Sequence, residues 1–396
     1  MAPKSFFLTL LSTLTLSLAA SIPETDYEVI VIGGGPSGLS AISSLSRVRR
    51  RTILFDSGEY RNAPTREMHD VIGNDGTPPA EFRGLAREQI LKYDTATIVN
   101  TTITTVTPES DPATNTTYFR AQDVDGNAYT ARKVVLGTGL IDVLPAVPGL
   151  QEAWGKGVYW CPWCDGYEHR DQALGILGAL PDVVGSVLET HTLNTDVIAL
   201  VNGTDTPAYE AALAAKYPDW RAQLAAWDVA VDNRSIASIE RLQDGEEVRG
   251  QDGSMQDVFR VWFADGDSVV RNALITNYPT AQRSEIPAQL GLKMDDGKID
   301  TADYSGMRTS LPGVFAVGDA NNDGSTNVPH AMFSGKRAGV FLHVEMAREE
   351  SAAAIGKREA AAGLSRREME KETARMVGDE MERLWKRVLE SRKNAS

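Results

Sequence analysis

The feature that most constrains the fold is a glycine-rich turn near the N-terminus, Gly33-Gly34-Gly35-Pro36-Ser37-Gly38. A continuous apolar run, YEVIVI, precedes it from Tyr27 to Ile32 and is typical of a buried parallel strand. Apolar residues at threefold spacing follow it and predict a helix: Leu39, Ile42, Leu45 and Val48. Strand, turn and helix together predict the first βαβ unit of a dinucleotide-binding domain.

The glycines of this turn suit a bound pyrophosphate. Gly33 permits the tight turn, Gly35 lets the backbone approach the phosphates, and Gly38 lets helix and strand pack closely. The helix that begins at Pro36 and Ser37 then presents unpaired N–H groups to the phosphates. Asp56 lies eighteen residues after Gly38, at the end of the next strand, where it can accept hydrogen bonds from a ribose.

The chain contains a second unit of this kind. Residues 173–177 and 196–201 read as strands, with a helix over 183–193, and the strand at 313–317 returns to the first unit. We therefore predict an α/β fold of two Rossmann-like, three-layer dinucleotide-binding domains, one inserted in the other, with a helical C-terminal tail. The predicted parts are residues 27–143 and 276–345 for the first domain, 144–275 for the inserted domain and 346–396 for the tail.

The two cysteines, Cys161 and Cys164, stand in a Cys-x-x-Cys pattern. A structural disulfide over so short a loop would remove little entropy from the unfolded chain. Structural zinc needs four ligands, and the sequence has neither a second cysteine pair nor a histidine pair at ligand spacing. A redox-active pair is the interpretation we favour, and we predict no metal site.

The segment Cys161-Pro162-Trp163-Cys164-Asp165-Gly166 resembles the Cys-x-x-Cys-Asp-Gly signature of low-molecular-weight thioredoxin reductases. The motifs of that family occur in the same order across residues 27–345. The resemblance implies that Cys164 lies against a flavin, that Cys161 exchanges with the substrate, and that Asp165 acts as acid and base.

Two later segments resemble further motifs of FAD-binding disulfide reductases, and FAD is therefore the expected cofactor. They are Val134-Val135-Leu136-Gly137-Thr138-Gly139 and the segment 313–319, which ends in Gly318-Asp319. By the same resemblance, the segment from Val328 to Ala331 should reach the pyrimidine edge of the flavin, with His330 as a catalytic candidate. His69 is a second candidate proton carrier, and a structural role remains open for both histidines.

The second glycine turn departs from that family. It reads Gly178-Ala179-Leu180-Pro181-Asp182-Val183, and no Lys or Arg occurs from Asp171 through Ala215. The 2′-phosphate of NADPH needs cations, so we expect that NADPH binding is lost.

Electrons must then enter from thiols and leave to oxygen, which yields hydrogen peroxide. The pattern resembles secreted fungal sulfhydryl oxidases of small thiols such as glutathione. Dithiol oxidases of secondary metabolism and an NADPH-dependent reductase are the alternatives.

The N-terminus predicts export. Lys4, the apolar run 6–18 and the small residues at 19–21 are typical of a secretory signal, which we assign to residues 1–20. Five glycosylation sequons agree with this: Asn100, Asn115, Asn202, Asn233 and Asn394. The formal net charge of −14 argues against nucleic acid and anionic lipid as partners. We expect a secreted glycoprotein without a membrane span, a homodimer by resemblance, whose partners are a small thiol and molecular oxygen.

Overall fold

The computed structural model describes residues 22–112, 114–276, 278–301, 305–324 and 326–354. The predicted signal sequence, residues 355–396 of the predicted tail and the sequon at Asn394 lie outside the described residues. Among the residues described, no helix has both the length and the apolar character needed to cross a bilayer.

The described residues form both α-helices and β-strands. The helices are α1 (Pro36–Arg47), α2 (Pro79–Ile90), α3 (Leu150–Ala153), α4 (Val183–Thr190), α5 (Pro207–Lys216), α6 (Trp220–Ala226), α7 (Ile286–Gln289) and α8 (Val328–Ala354). The strands are β1 (Tyr27–Ile32), β2 (Thr52–Asp56), β3 (Ala96–Asn100), β4 (Ile103–Asp111), β5 (Thr116–Asp123), β6 (Ala128–Leu136), β7 (Leu140–Asp142), β8 (Val158–Tyr159), β9 (Leu174–Leu177), β10 (Val197–Leu200), β11 (Ala230–Asp232), β12 (Ile236–Gln243), β13 (Val258–Phe263), β14 (Ser268–Arg271), β15 (Ala273–Thr276), β16 (Thr280–Gln282), β17 (Met294–Asp295), β18 (Lys298–Ile299) and β19 (Val314–Ala316).

The first domain is built on a parallel sheet. Its strands run in the order β3-β2-β1-β6, and the late strand β19 pairs in parallel with the end of β6. β4 and β5 extend the same sheet as an antiparallel hairpin. β1 and β2 are buried almost throughout because helices cover the sheet, as the apolar run YEVIVI predicted.

The inserted domain has its own parallel sheet, in the order β11-β10-β9-β15-β8. A separate three-stranded antiparallel sheet, β12-β13-β14, packs beside it through the core that contains Phe259 and Val261. The chain enters through β7 and leaves through β16, and these two strands pair with each other. The two connections between the domains are therefore hydrogen-bonded side by side. These features confirm the α/β fold of two Rossmann-like domains.

The last described helix, α8, begins earlier than the predicted tail. It starts at Val328 and crosses α1, where Ser40 donates a hydrogen bond to the carbonyl of Met332. Its C-terminal half is held by ion pairs from Arg132 to Glu349 and Glu350. The described part of the tail therefore packs on the first domain.

Candidate functional site

A cavity of about 470 Å³ lies where the two domains meet. The glycine turn of the first domain forms one part of its wall, and the Cys-x-x-Cys turn of the inserted domain forms another part. Its lining includes many of the residues that the sequence predicted, namely Gly33, Gly35, Pro36, Ser37, Gly137, Thr138, Gly139, Cys164, Asp165, Asp319 and Val328.

The glycine turn has the geometry that a bound pyrophosphate needs. Gly33 has a φ of +113°, and a Cβ added there would lie 2.1 Å from the carbonyl oxygen of Gly137. A Cβ at Gly38 would lie 1.9 Å from the carbonyl oxygen of Gly33, so α1 packs directly on the turn. Nothing lies within 4 Å of the Cβ position of Gly35, which leaves open space in front of the α1 N-terminus. The residues therefore fit a dinucleotide phosphate at this end.

Asp319 and Thr138 supply further polar groups for a cofactor. Arg61 donates to Asp319 at 2.9 Å and to both carboxylate oxygens of Asp142, at 2.6 and 3.0 Å. The buried hydroxyl of Thr138 has no hydrogen-bond partner among the described residues, so a bound group could satisfy it. Gly318 lies behind this wall, against the side chain of Ser37.

Asp56 is almost fully buried at the end of β2 and does not line the main cavity. It lines a neighbouring cavity and accepts hydrogen bonds from the backbone N–H of Gly58 at 3.0 Å and from Tyr60 at 2.7 Å. Arg87 also donates to it, at 2.8 Å. Its proposed contact with a ribose stays a prediction.

The cysteines form a disulfide on a turn of π-helix, Pro162–Gly166. The backbone N–H groups of Cys164 and Asp165 both donate to the carbonyl of Cys161, at 3.1 and 3.2 Å. Cys164 lines the cavity and Cys161 does not. The two sulfurs therefore have different surroundings, although no contact with a flavin or a substrate tests their assigned roles.

Asp165 lies next to Cys164 in the cavity wall. Removal from water raises the pKa of this carboxyl to about 7, although the nearby His169 and His69 lower it. An acid with a pKa in this range can both take up and release a proton near neutral pH.

The two candidate histidines occupy different places. His69 lines the cavity and lies 3.4 to 3.7 Å from the carboxylates of Glu67, Asp75 and Glu168. Its buried Nε2 has no hydrogen-bond partner among the described residues. His330 is outside the cavity lining, and its Nε2 lies 2.8 Å from Asp323. The structure therefore brings His69, rather than His330, together with Cys164 and Asp165, and the catalytic role of His330 stays a prediction.

A buried ion cluster joins the two domains beside the cysteines. Arg66, from the loop after β2, donates to both carboxylate oxygens of Asp257 in the inserted domain, at 2.9 and 3.0 Å. Asp257 has no exposed surface and also contacts Arg241 and, at 3.1 Å, His169. Burial alone would raise the pKa of Asp257, but hydrogen bonds from His169 and Arg66 outweigh it and hold that pKa well below its usual range.

His169 connects the ion cluster to the Cys-x-x-Cys turn at Pro162–Gly166, which we call the redox turn. One ring nitrogen of His169 contacts Asp257, and the other lies 2.9 Å from the carbonyl oxygen of Asp165. The sequence patterns do not single out His169, Arg66 or Asp257. The available signal was weak, because Arg66 and Asp257 are 191 positions apart.

The second glycine turn is closed by side chains. Leu180 and Val183 are fully buried in the core of the inserted domain. The backbone N–H of Leu180 donates to the hydroxyl of Thr204 at 3.0 Å, so the loop after β10 is tied to the turn. The N–H that would face a pyrophosphate at this turn is therefore already paired.

Comparison with known proteins gives consistent results. The model of the pyridine nucleotide-disulphide oxidoreductase family matches residues 27–335. A probable thioredoxin reductase of Arthroderma benhamiae is 51% identical over 392 residues, covering 95% of this chain and 96% of that protein. The thioredoxin reductase tcpT of Claviceps purpurea is 34% identical, covering 81% and 94% of the two chains. The crystal structure of HlmI is similar at a TM-score of 0.70 with 30% identity, covering 86% of this chain and 98% of that chain.

The ion cluster generates a prediction about stability. Replacing Arg66 by Met should lower the free energy of unfolding by about 3 kcal/mol, because it removes a partner from a buried carboxylate. Arg249→Met removes a more exposed pair with Glu67 and should cost less than about 1 kcal/mol. Urea unfolding of both variants measures the difference. Equal losses would show that the Arg66–Asp257 contact does not hold the domains together.

Proposed function

The chain belongs to the pyridine nucleotide-disulphide oxidoreductase family, and from this premise we propose that it is a thiol oxidase that uses molecular oxygen as electron acceptor. As a member of this family with thioredoxin reductase-like relatives, it is an FAD-binding oxidoreductase that acts on disulfides. The oxygen acceptor and the thiol substrate are the proposed part. Two thiols and one O2 give one disulfide and one H2O2, so two protons and two electrons pass from sulfur to oxygen.

The observation that carries this proposal is the closed second turn. Leu180 and Val183 stand at the second and third glycine positions of this turn and are buried in the core, the N–H of Leu180 is paired with Thr204, and no Lys or Arg lies between Asp171 and Ala215. Without a nucleotide that donates hydride, the electrons must come from the thiol. The family name and the thioredoxin reductase relatives favour the alternative, in which NADPH reduces the flavin. Anaerobic incubation with NADPH separates an oxidase from a reductase.

The residues of the chain account for the sulfur chemistry. A substrate thiolate attacks Cys161 and breaks its bond to Cys164, which leaves a Cys164 thiolate in the cavity wall. A second substrate thiolate attacks the mixed disulfide and releases Cys161. FAD bound in the cavity would supply the acceptor for the electron pair of the reduced cysteines, with O2 as the final acceptor. Asp165 takes up the protons that thiol ionisation releases, and His69 can pass them towards solvent.

The site is suited to small thiols. The Arg66–Asp257 cluster holds the loop of the first domain against the inserted domain, so a folded protein would reach the cysteines only after the domains separate. Glutathione is the candidate thiol by resemblance.

Export and assembly are also part of the proposal. The signal at residues 1–20 supports a secreted protein, and the side chains of Asn100, Asn115, Asn202 and Asn233 are exposed, as glycan attachment requires. A homodimer is proposed from the family resemblance alone. Molecular oxygen and a small thiol remain the proposed partners.

We expect that NADPH and NADH leave the flavin oxidised under anaerobic conditions, whereas a small thiol bleaches its absorbance. Dithionite serves as the control that the flavin is reducible. The reason is the absence of a nucleotide phosphate site around Leu180. Anaerobic stopped-flow absorbance makes the measurement, and rapid bleaching by NADPH would favour the reductase instead.

The two cysteines should behave unequally. Cys161→Ser leaves a thiolate at Cys164 in the cavity wall and should give a long-wavelength charge-transfer absorbance without turnover. Cys164→Ser should abolish turnover without that absorbance, because Cys161 does not line the cavity. Absorbance spectra of both variants provide the test. Identical spectra would contradict the assignment of Cys164 to the flavin side.

The pH profile should report Asp165. Its carboxyl is protonated below a pKa of about 7 and ionised above it, so a base at this position becomes active as pH rises through 7. With rates corrected for the thiolate fraction of the substrate, kcat/KM should rise between about pH 6 and 8. Asp165→Asn should remove this rise and lower kcat/KM by roughly 10²-fold or more.

Asp182→Asn is the matched control for this profile. Burial also raises the pKa of Asp182, but this residue lies outside the cavity. Its variant should keep the profile of the unmodified protein. A profile of Asp165→Asn that still rises through pH 7 would assign the base to another residue.

A further inference from the structure

His169 is buried next to the redox turn, with only 1% of its surface exposed. Its Nε2 lies 3.1 Å from a carboxylate oxygen of Asp257, and its Nδ1 lies 2.9 Å from the main-chain carbonyl oxygen of Asp165. A neutral imidazole has one nitrogen that donates and one that accepts, whereas both nitrogens of an imidazolium donate. The nature of the two oxygens therefore decides which form of the ring fits this position.

Both oxygens are acceptors. A main-chain carbonyl carries no proton. The carboxylate of Asp257 accepts from Arg66, from Arg241 and, at 3.0 Å, from the backbone N–H of Gly245, which is the pattern of an ionised group. Either neutral form of His169 would therefore set the lone pair of one ring nitrogen against a lone pair of oxygen at hydrogen-bond distance.

The ring of Tyr159 also favours a charged imidazole. It stacks on the ring of His169 with 5.6 Å between the centroids and an angle of 25° between the planes. A cation within about 6 Å of an aromatic centroid is attracted by the face of that ring. Because Tyr159 and His169 are both buried, water does not weaken this attraction.

Asp165 is the group on which a charge at His169 acts. Burial raises the pKa of the Asp165 carboxyl, and the largest opposing effect is the charge of His169, followed by that of His69. The charge of Glu168 raises this pKa further, and that of Arg66 lowers it. A cation bonded to the main chain of Asp165 itself therefore offsets part of the cost of ionising its side chain.

We propose that His169 is a buried imidazolium that donates from both ring nitrogens, to Asp257 and to the carbonyl of Asp165, and that it is a positioning residue acting through Asp165. Without this cation the Asp165 carboxyl would stay protonated to higher pH and would accept the proton of a thiol only there. The use of Asp165 in thiol chemistry rests on the proposed function, whereas the charge of His169 does not.

Nitrogen-15 NMR of the FAD-loaded protein with labelled histidines tests the charge directly. At pH 7 we expect both ring nitrogens of His169 to have the chemical shifts of protonated nitrogens. Gln variants of the other histidines assign their signals, so the signal of His169 is identified even if a variant of His169 does not fold. One protonated and one unprotonated nitrogen in this ring would overturn the proposal.

The action on Asp165 is measured by carbon-13 NMR of its labelled carboxyl, which Asp165→Asn identifies. His169→Gln should move the titration of this carboxyl upward by about one pH unit or more, because an opposite charge has been removed. His191→Gln is the matched control. The ring of His191 also lies near a main-chain carbonyl, at 3.1 Å from that of Leu188, and stacks on an aromatic residue, but it is exposed.

The control should leave the titration of Asp165 unchanged. An unchanged titration in His169→Gln, or an equal shift in His191→Gln, would overturn the proposal. Under the proposed function, the rise of kcat/KM in His169→Gln moves to higher pH together with the carboxyl titration. Absence of thiol oxidation by the unmodified protein would overturn the proposed function alone, because neither NMR measurement needs turnover.

Discussion

The position of the redox turn depends on one buried carboxylate, Asp257. Its carboxylate contacts Arg66 from the first domain and Arg241 and His169 from its own domain. His169 in turn contacts the backbone carbonyl of Asp165. A carboxylate without exposed surface is tolerated only when its charge is matched by nearby donors. Removing any one of these donors leaves the buried charge of Asp257 only partly matched. Domain contact and the position of the redox turn are therefore coupled through the same charge.

The inserted domain keeps the framework of a nucleotide-binding unit while its turn is closed. The parallel order β11-β10-β9-β15-β8 is intact, and Leu180 and Val183 belong to the hydrophobic core under that sheet. Opening this turn for a phosphate would require removing buried side chains and would therefore destabilise the domain. The domain then contributes what the site still needs from it, which is the Cys-x-x-Cys turn and Asp257.

Local signals in the sequence were enough for the fold, and most of the site residues that they indicated line the cavity. The glycine turn, the later Gly-x-Gly segment and Asp319 each follow a strand, and parallel strands bring their ends to one edge of the sheet. The direction in which a side chain points was not predictable in this way. His330 lies beside residues that line the cavity but faces Asp323, whereas His69 comes from a loop without periodicity. Contacts such as Arg66–Asp257 depend on how two domains meet, which no local pattern encodes.

The electrostatics of the cavity explain why Asp165 is useful with a raised pKa. The carboxylates of Glu67, Asp75 and Glu168 lie around His69, the charge of Glu168 also acts on Asp165, and exchange at the disulfide adds a thiolate at Cys164. A permanently ionised Asp165 would add another negative charge beside that thiolate and oppose its formation. With a pKa of about 7 the carboxyl can be neutral when the thiolate is present and ionised when a proton must be accepted. Because the surroundings are acidic, formation of the Cys164 thiolate depends on the raised pKa of Asp165.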